Sequence, residues 1–297
     1  MATAAAEVRR APVVEESVAA KILRITASAP VHFVLVLLGL LWLVPTIGLF
    51  LTSLFSPTDV NALGWWEIFS KPSLATFSNY QDIWNNESIR SAFWTTVWIS
   101  LGGTFLPIIV AALAGYAFAW LEFPARDWLF VLVIALLVVP LQMALIPMFR
   151  LYSDLGIFDT VLSLILFHTA FGLPFAIFLL RNFFAGIPRD LLEAARMNGG
   201  KEWTIFVKVI FPLGGPAIAS LGIFQFLWVW NDMLVSLVFA NTGSQPMTKF
   251  LQSQMRQFTG NIDILAPGAF LSLIVPLVVF FAFQRYFVQG VLAGSVK

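Results

Sequence analysis

Arg181-Asn-Phe-Phe-Ala-Gly-Ile-Pro188-Arg-Asp190-Leu-Leu-Glu193-Ala194-Ala195-Arg-Met-Asn198-Gly199-Gly200-Lys201-Glu-Trp-Thr is a charged island between two charge-free stretches. Thr160–Leu180 before it and Val209–Asn231 after it contain no Asp, Glu, Lys or Arg. Each is long enough to cross the hydrocarbon core of a bilayer, which takes about 20 apolar residues. The island carries its own start and stop signals. Asp190 reads as an N-cap and Glu193, three residues on, completes an Asp variant of the capping box. Gly199 and Gly200 supply a left-handed terminator. The spacing predicts a short helix near 191–198 with Leu191, Ala194, Ala195 and Asn198 on one face. Two alanines in that face let another protein approach the backbone closely, so the helix reads as a docking element.

Four more stretches lack charge: Val31–Thr58, Ser91–Leu121, Trp128–Phe149 and Ile264–Gln284. Together they predict an all-α membrane protein with six transmembrane helices near 31–55, 92–121, 128–149, 160–180, 212–239 and 265–287. The composition agrees. Of 297 residues, 59% are hydrophobic and 11% charged, where a soluble domain carries about 25% charged. An ordinary cytoplasmic enzyme and a disordered chain are both excluded. A net charge of +1 offers no basic surface for nucleic acid. There is no cysteine, the two histidines (His32 and His168) lie far apart, and no HExxH occurs. Disulfides, thiolate metal sites and zinc chemistry are therefore not expected.

The basic residues give the orientation. Arg9, Arg10, Lys21, Arg24, Arg126, the five of the 181–208 segment, Arg285 and Lys297 fall on one side of such a bundle. The smaller share (Lys71, Arg90, Arg150, Lys249 and Arg256) falls on the other. The positive-inside rule then puts both termini in the cytoplasm. The expected organisation is a cytoplasmic tail over 1–30, a permease domain over 31–288 with a cytoplasmic loop at 181–211, and a cytoplasmic tail over 289–297. The first 30 residues do not read as a secretory signal peptide. Val14–Ala27 reads equally as a surface-lying amphipathic helix and as a loose tail. Proline falls in or beside every expected span (Pro45, Pro107, Pro140, Pro147, Pro174, Pro212, Pro216 and Pro276). Each is an expected kink.

Gln142, His168, Gln225, Asn231 and Asp232 are the polar residues within or at the ends of spans. Polar groups in hydrocarbon are costly and point to function. Trp228 and Trp230 beside Gln225, Asn231 and Asp232 combine aromatic faces with amide and carboxylate groups, the set a sugar ring asks for. The competing reading places the tryptophans in an interfacial belt and the glutamines in inter-helix hydrogen bonds. No internal repeat is visible, and Asp232 is the sole carboxylate well inside the apolar stretches. Both argue against an ion-coupled secondary transporter. Gly199-Gly200-Lys201 is not a Walker A loop, because Glu202 follows the lysine and Ala195 replaces the first glycine. ATP, if used, is used by a partner. Neither GxSxG nor a buried carboxylate pair argues for a membrane enzyme.

Glu193-Ala194-Ala195, three residues, Gly199, nine residues, then Val209-Ile210-Phe211-Pro212 resembles the EAA loop of ABC importer permeases, whose usual form is EAA-x3-G-x9-I-x-L-P. Asn198, Gly200, Val209 and Phe211 are mild departures from that form. The C-terminal segment from Gln284 to Lys297 and Trp230-Asn231-Asp232 are similar to the second membrane subunit of maltose-type sugar importers, the MalG-like permeases. The resemblance implies a type I ABC importer permease fold in a bacterial or archaeal cytoplasmic membrane. It implies a second permease, an ATPase dimer that holds ATP and Mg, and an extracytoplasmic sugar-binding protein as partners. No cofactor is expected in this chain. Asp190, Glu193, Ala194, Ala195, Gly199 and Gly200 would form the ATPase-coupling helix. Gln225, Trp228, Asn231 and Asp232 would line the substrate path. The external segments 56–91 and 240–264 would face the binding protein. The implied cargo is a di- or oligosaccharide, with a lean to an α-glucoside. An ABC permease for a non-sugar substrate is the alternative, with an ion-coupled transporter behind it.

Overall fold

A computed structural model describes residues 18–241, 243, 245–257 and 261–293, and those residues contain helices and turns but no strand. The expected tail segments 1–17 and 294–297 lie outside the described residues, as do 258–260 of the external segment.

Contacts divide the chain between Leu49 and Phe50. The first unit is essentially the body of α1 (Val18–Ser53), a helix of 36 residues that stays continuous through Pro30 and Pro45. At 1.5 Å per residue it is roughly 54 Å long. Its Ala29–Ser53 part is long and apolar enough to cross a membrane.

The second unit opens with short 3₁₀ turns at Trp65–Phe69 and Pro72–Leu74 and then α2 (Ser78–Asn85). Asn79 pins α2 in place by donating from Nδ2 to the carbonyls of Ser53 at 3.1 Å and Phe55 at 2.5 Å. Next comes α3 (Glu87–Trp120), started by Asn86, whose side chain accepts from the Ser88 and Ile89 amides. The chain continues through α4 (Arg126–Ala135), α5 (Leu141–Asp154) and α6 (Val161–Ala185). Thr160 caps α6 by accepting from Ser163 N. The short α7 (Arg189–Met197) and α8 (Glu202–Ile205) follow. A π turn at Phe206–Ile210, α9 (Phe211–Leu213) and α10 (Gly215–Trp230) continue the chain. It ends with α11 (Leu234–Phe239), α12 (Met247–Gln257) and α13 (Ile262–Ala293).

Helices α3 and α6 form the spine. Small residues let them close on one another. A Cβ on Gly102 would stand 2.5 Å from Ile165 Cδ1, and one on Gly115 would stand 3.0 Å from the Arg181 amide nitrogen. Two apolar cores flank this spine. One gathers Ile108, Tyr116, Leu180, Phe184, Leu192 and Ile205. The other gathers Ile99, Leu164, Phe167, Val229, Val235 and Phe239.

Four helices meet the length and composition of a membrane span: Ala29–Ser53, Glu87–Trp120, Val161–Ala185 and Ile262–Arg285. The two other expected spans are broken rather than single. Arg126–Val138 meets Leu141–Asp154 at 101°, and Glu202–Leu213 meets Gly215–Trp230 at 72°. Proline explains both. Pro140 lacks an N–H and holds Val139 in extended geometry (ψ 117) at the first break. At the second, Pro212 and Pro216 remove two donors, and the π turn just before Pro212 absorbs the steric conflict. Gly214 is needed there, since a Cβ would stand 2.5 Å from Phe184 Cε1.

The expected helix over 212–239 also ends early. It stops at Trp230, and α11 starts afresh at Leu234. Pro107, Pro174, Pro267 and Pro276, by contrast, sit inside helices that remain continuous. At the other end, α13 runs through 289 to Ala293, so the expected tail begins inside a helix.

Candidate functional site

The segment around Glu193 is built as the sequence requires at its end and differently at its start. The N-cap is Pro188, in extended geometry and with no side-chain cap. Proline's fixed φ suits that place, and it starts the helix at Arg189, two residues earlier than expected. Asp190 therefore does not cap. It sits in the first turn, where a carboxylate favours the positive helix end. Glu193 does not complete a capping box; its carboxylate lies 3.7 Å from Arg189 Nε across one turn.

The far end is a Schellman motif. Gly200 N donates to Ala195 O at 3.0 Å, and Gly199 N donates to Arg196 O at 2.9 Å. Gly199 has φ +77, and a Cβ on Gly200 would stand 2.7 Å from Ala195 O. Asn198 Nδ2 adds a bond to Ala194 O at 2.8 Å.

Leu192, which the sequence reading passed over, anchors this helix. It is fully buried in the core with Phe184, Ile187 and Ile205. Ala195 packs partly against the same core. Leu191, Glu193, Ala194 and Asn198 stay open, as does Met197 at 85% exposure. The last turn is fastened by charge. Arg196 Nε and Nη2 reach Glu202 at 3.0 and 3.4 Å, and the Tyr116 hydroxyl of α3 donates to the same carboxylate. Beside Glu202, the Arg196 guanidinium holds its proton more firmly than an ordinary arginine does.

The polar residues of α6 and α10 form a second cluster. Gln225 is buried and donates from Nε2 to Gly103 O at 3.0 Å and His168 O at 3.4 Å, so it joins α10 to α3 and α6. His168 is buried, with Nδ1 on Leu164 O at 2.8 Å. Its Nε2 makes no hydrogen bond and lies 3.6 Å from Asp232 Oδ2. The Trp228 ring stands edge-on to His168 with centroids 5.1 Å apart, and is itself 36% exposed.

Asp232 turns toward the chain. Its carboxylate accepts from the Val235 and Ser236 amides, each at 3.3 Å, and starts α11. Asn231 bonds back to Leu227 O at 2.8 Å. Trp230 is fully buried and donates to Ser272 O of α13 at 2.9 Å. Of the four expected path residues, then, Gln225 and Trp228 of α10 line one cavity and both touch His168 of α6, whereas Asn231 and Asp232 serve helix ends. Gln142 stands apart from this cluster, on the first turn of α5.

Among the described residues, no group of His, Cys, Asp or Glu could hold a metal ion. Within 240–264, Asn241 N donates to Asp159 at 2.6 Å and Lys249 donates to Ala240 O. Burial pushes the Lys249 ammonium below the usual lysine range, against the pull of Asp159.

Comparison with known proteins places this geometry. The profile of the binding-protein-dependent transport system inner membrane component family matches residues 103–293. The osmoprotective compounds uptake permease of Synechocystis sp. is 46% identical over 273 residues, covering 90% of this chain and 92% of that protein. The alpha-glucoside transport system permease of Rhizobium meliloti is 47% identical over 233 residues, covering 76% of this chain. The match spans 61% of that longer relative. Among solved structures, a chain of the bacterial ABC transporter that imports the acidic polysaccharide alginate superposes with a TM-score of 0.71. It is 21% identical and covers 92% of this chain and 99% of that one, and so shares the fold. The chain therefore belongs to the multi-pass family of inner-membrane components of binding-protein-dependent transport systems.

Proposed function

We propose that this chain is one of two membrane subunits of an ATP-driven importer that moves a di- or oligosaccharide, with an α-glucoside as the leading class, into the cell by alternating access. The observation that carries the reading is α7: a helix held from below by Leu192, closed by Gly199 and Gly200, and open along Leu191, Glu193, Ala194 and Asn198. A two-and-a-half-turn helix whose outer face is exposed suits a cleft in another protein. In this reading the cleft belongs to an ATPase dimer, which supplies ATP and Mg. Segment 181–211 and both termini lie in the cytoplasm, and the two broken helices complete six spans across the cytoplasmic membrane. A second permease closes the path and an extracytoplasmic binding protein delivers the cargo. Closure of the ATPase dimer moves α7, and the two-state bundle follows because its contacts differ between the states. The α-glucoside class rests on the Rhizobium meliloti relative. The Synechocystis relative, whose name specifies osmoprotective compounds, favours a second reading in which the cargo is a small neutral osmolyte.

Glu193→Lys tests the coupling. The Arg189–Glu193 pair is exposed, and such pairs add little to stability, so the variant should fold and assemble. In vesicles carrying the whole transporter, sugar uptake should be lost while sugar binding by the external protein stays intact. Uptake at the normal rate would remove α7 from the coupling path.

A further inference from the structure

Two pairs of half-open aromatic rings face a cavity of about 300 Å³ between α6 and α10. Phe171 and Phe175 lie one turn apart on α6; Phe224 and Trp228 lie one turn apart on α10. The floor is the Gln225 amide, lying against the backbone at Gly172. A Cβ at Gly172 would stand 2.5 Å from Gln225 Nε2 and 2.8 Å from its Oε1. Both bonds Gln225 makes are donated by Nε2 to carbonyls. A carbonyl accepts only, so the amide orientation is fixed and Oε1 is left as an acceptor with no donor among the described residues. Oε1 is not sealed in the interior, so a ligand hydroxyl can reach it.

We propose that this cavity is a binding subsite for one neutral pyranose ring of the transported sugar, contributed by this subunit alone. The inference rests on the sugar-importer reading and adds to it a place and a pose. The apolar C–H face of the ring stacks on Trp228 and Phe224, and one ring hydroxyl donates to Gln225 Oε1. The volume sits at the lower end of small-molecule sites and suits one ring rather than a chain. No charged side chain lines the cavity, which disfavours phosphates, carboxylates and zwitterions. The edge-on contact of His168 fixes the tilt of Trp228. Asn231 and Asp232, occupied at helix ends, take no part.

The sequence has no cysteine, so Phe175→Cys gives the chain a single thiol on the cavity wall at a ring the pose does not use. The assembled transporter, with its ATPase, second permease and binding protein, would be placed in vesicles and treated with a small methanethiosulfonate, with the unsubstituted transporter as blank. Maltose and trehalose are the probes, each delivered by the binding protein. With sugar at about nine times its Kd, modification of the thiol should slow about tenfold, because protection is one plus the ratio of sugar to Kd. Adding Trp228→Ala should abolish that protection. Without the thiol, Trp228→Ala should lower uptake by a similar factor and Trp228→Phe should restore it.

A thiol modified at the same rate with and without sugar, in vesicles where the unsubstituted transporter carries that sugar, would overturn the subsite and leave the importer standing. A thiol unreactive under both conditions would show the cavity filled by the other permease or by lipid, and would also overturn it. Failure of the unsubstituted transporter to carry either sugar would overturn both readings.

Discussion

Gly199 sits at φ +77, where any other L-residue but asparagine is strained by roughly 1–2 kcal/mol. Gly199→Ala should therefore lower the midpoint of thermal unfolding of the detergent-solubilised protein by a few degrees, and Gly199→Asn by less. Equal midpoints for all three would mean that the turn is not held left-handed in solution. This terminator was legible from sequence because two glycines after a helical run have few other uses. The anchor was not. Leu191 and Leu192 are adjacent, and either fits a helical stripe that includes Ala195. Only the position of Phe184, Ile187 and Ile205 decides that Leu192 goes inward. The start was misread for a similar reason. Asp190 has the chemistry of an N-cap, but Pro188, with its φ already fixed, takes the place first.

Asp232 shows how helix ends can hide inside an apolar run. The stretch from Val209 through Val238 carries a single charge, so periodicity and hydropathy pass through position 232 without a signal. That charge accepts two backbone N–H bonds and begins a new helix. Asp232→Ala should cost about 1 kcal/mol from the lost cap alone. Asp232→Asn keeps an acceptor and should cost less. Thermal unfolding of the two variants beside the parent tests this, and equal losses would give the carboxylate's charge, rather than its hydrogen bonds, the main role. The prolines were legible as points of weakness but not as outcomes. Pro107 and Pro174 lie in α3 and α6, whose tight packing keeps both helices continuous, whereas Pro140 and Pro212 fall where the chain turns through 101° and 72°. Pro30 and Pro45 sit in a continuous α1 as well, so proline alone does not decide between a continuous helix and a broken one.

Across the whole molecule, four helices of span length and two bent helix pairs fall where the sequence has charge-free stretches, because hydrocarbon excludes charge whatever the fold. Contacts between distant segments could not be read that way. Tyr116 and Glu202 are 86 residues apart, and neither stood out in the sequence. Their bond, with Arg196, ties three pieces of chain: α3, the last turn of α7 and the start of α8. In the proposed importer this triad passes displacement of the docking helix into the membrane. Glu202→Gln retains hydrogen-bonding atoms but removes the charge that holds Arg196. It should reduce sugar moved per ATP hydrolysed by about two- to thirtyfold, the span of single-site effects on coupling. ATP hydrolysis itself should continue. An unchanged ratio, measured with labelled sugar and phosphate release in the same vesicles, would remove the triad from the transmission path.

The two sides of α7 answer to different pressures. Leu192 is held in the core of its own chain, while Leu191, Ala194 and Asn198 are exposed on the outer face. In the proposed importer, a change at 192 is expected to lower the amount of protein in the membrane. A change at the open positions is expected to spare abundance and to alter which ATPase the subunit accepts. Duplicated transporters can therefore drift apart in partner choice without either copy passing through an unstable intermediate, and a screen that scores expression alone would count those changes as silent.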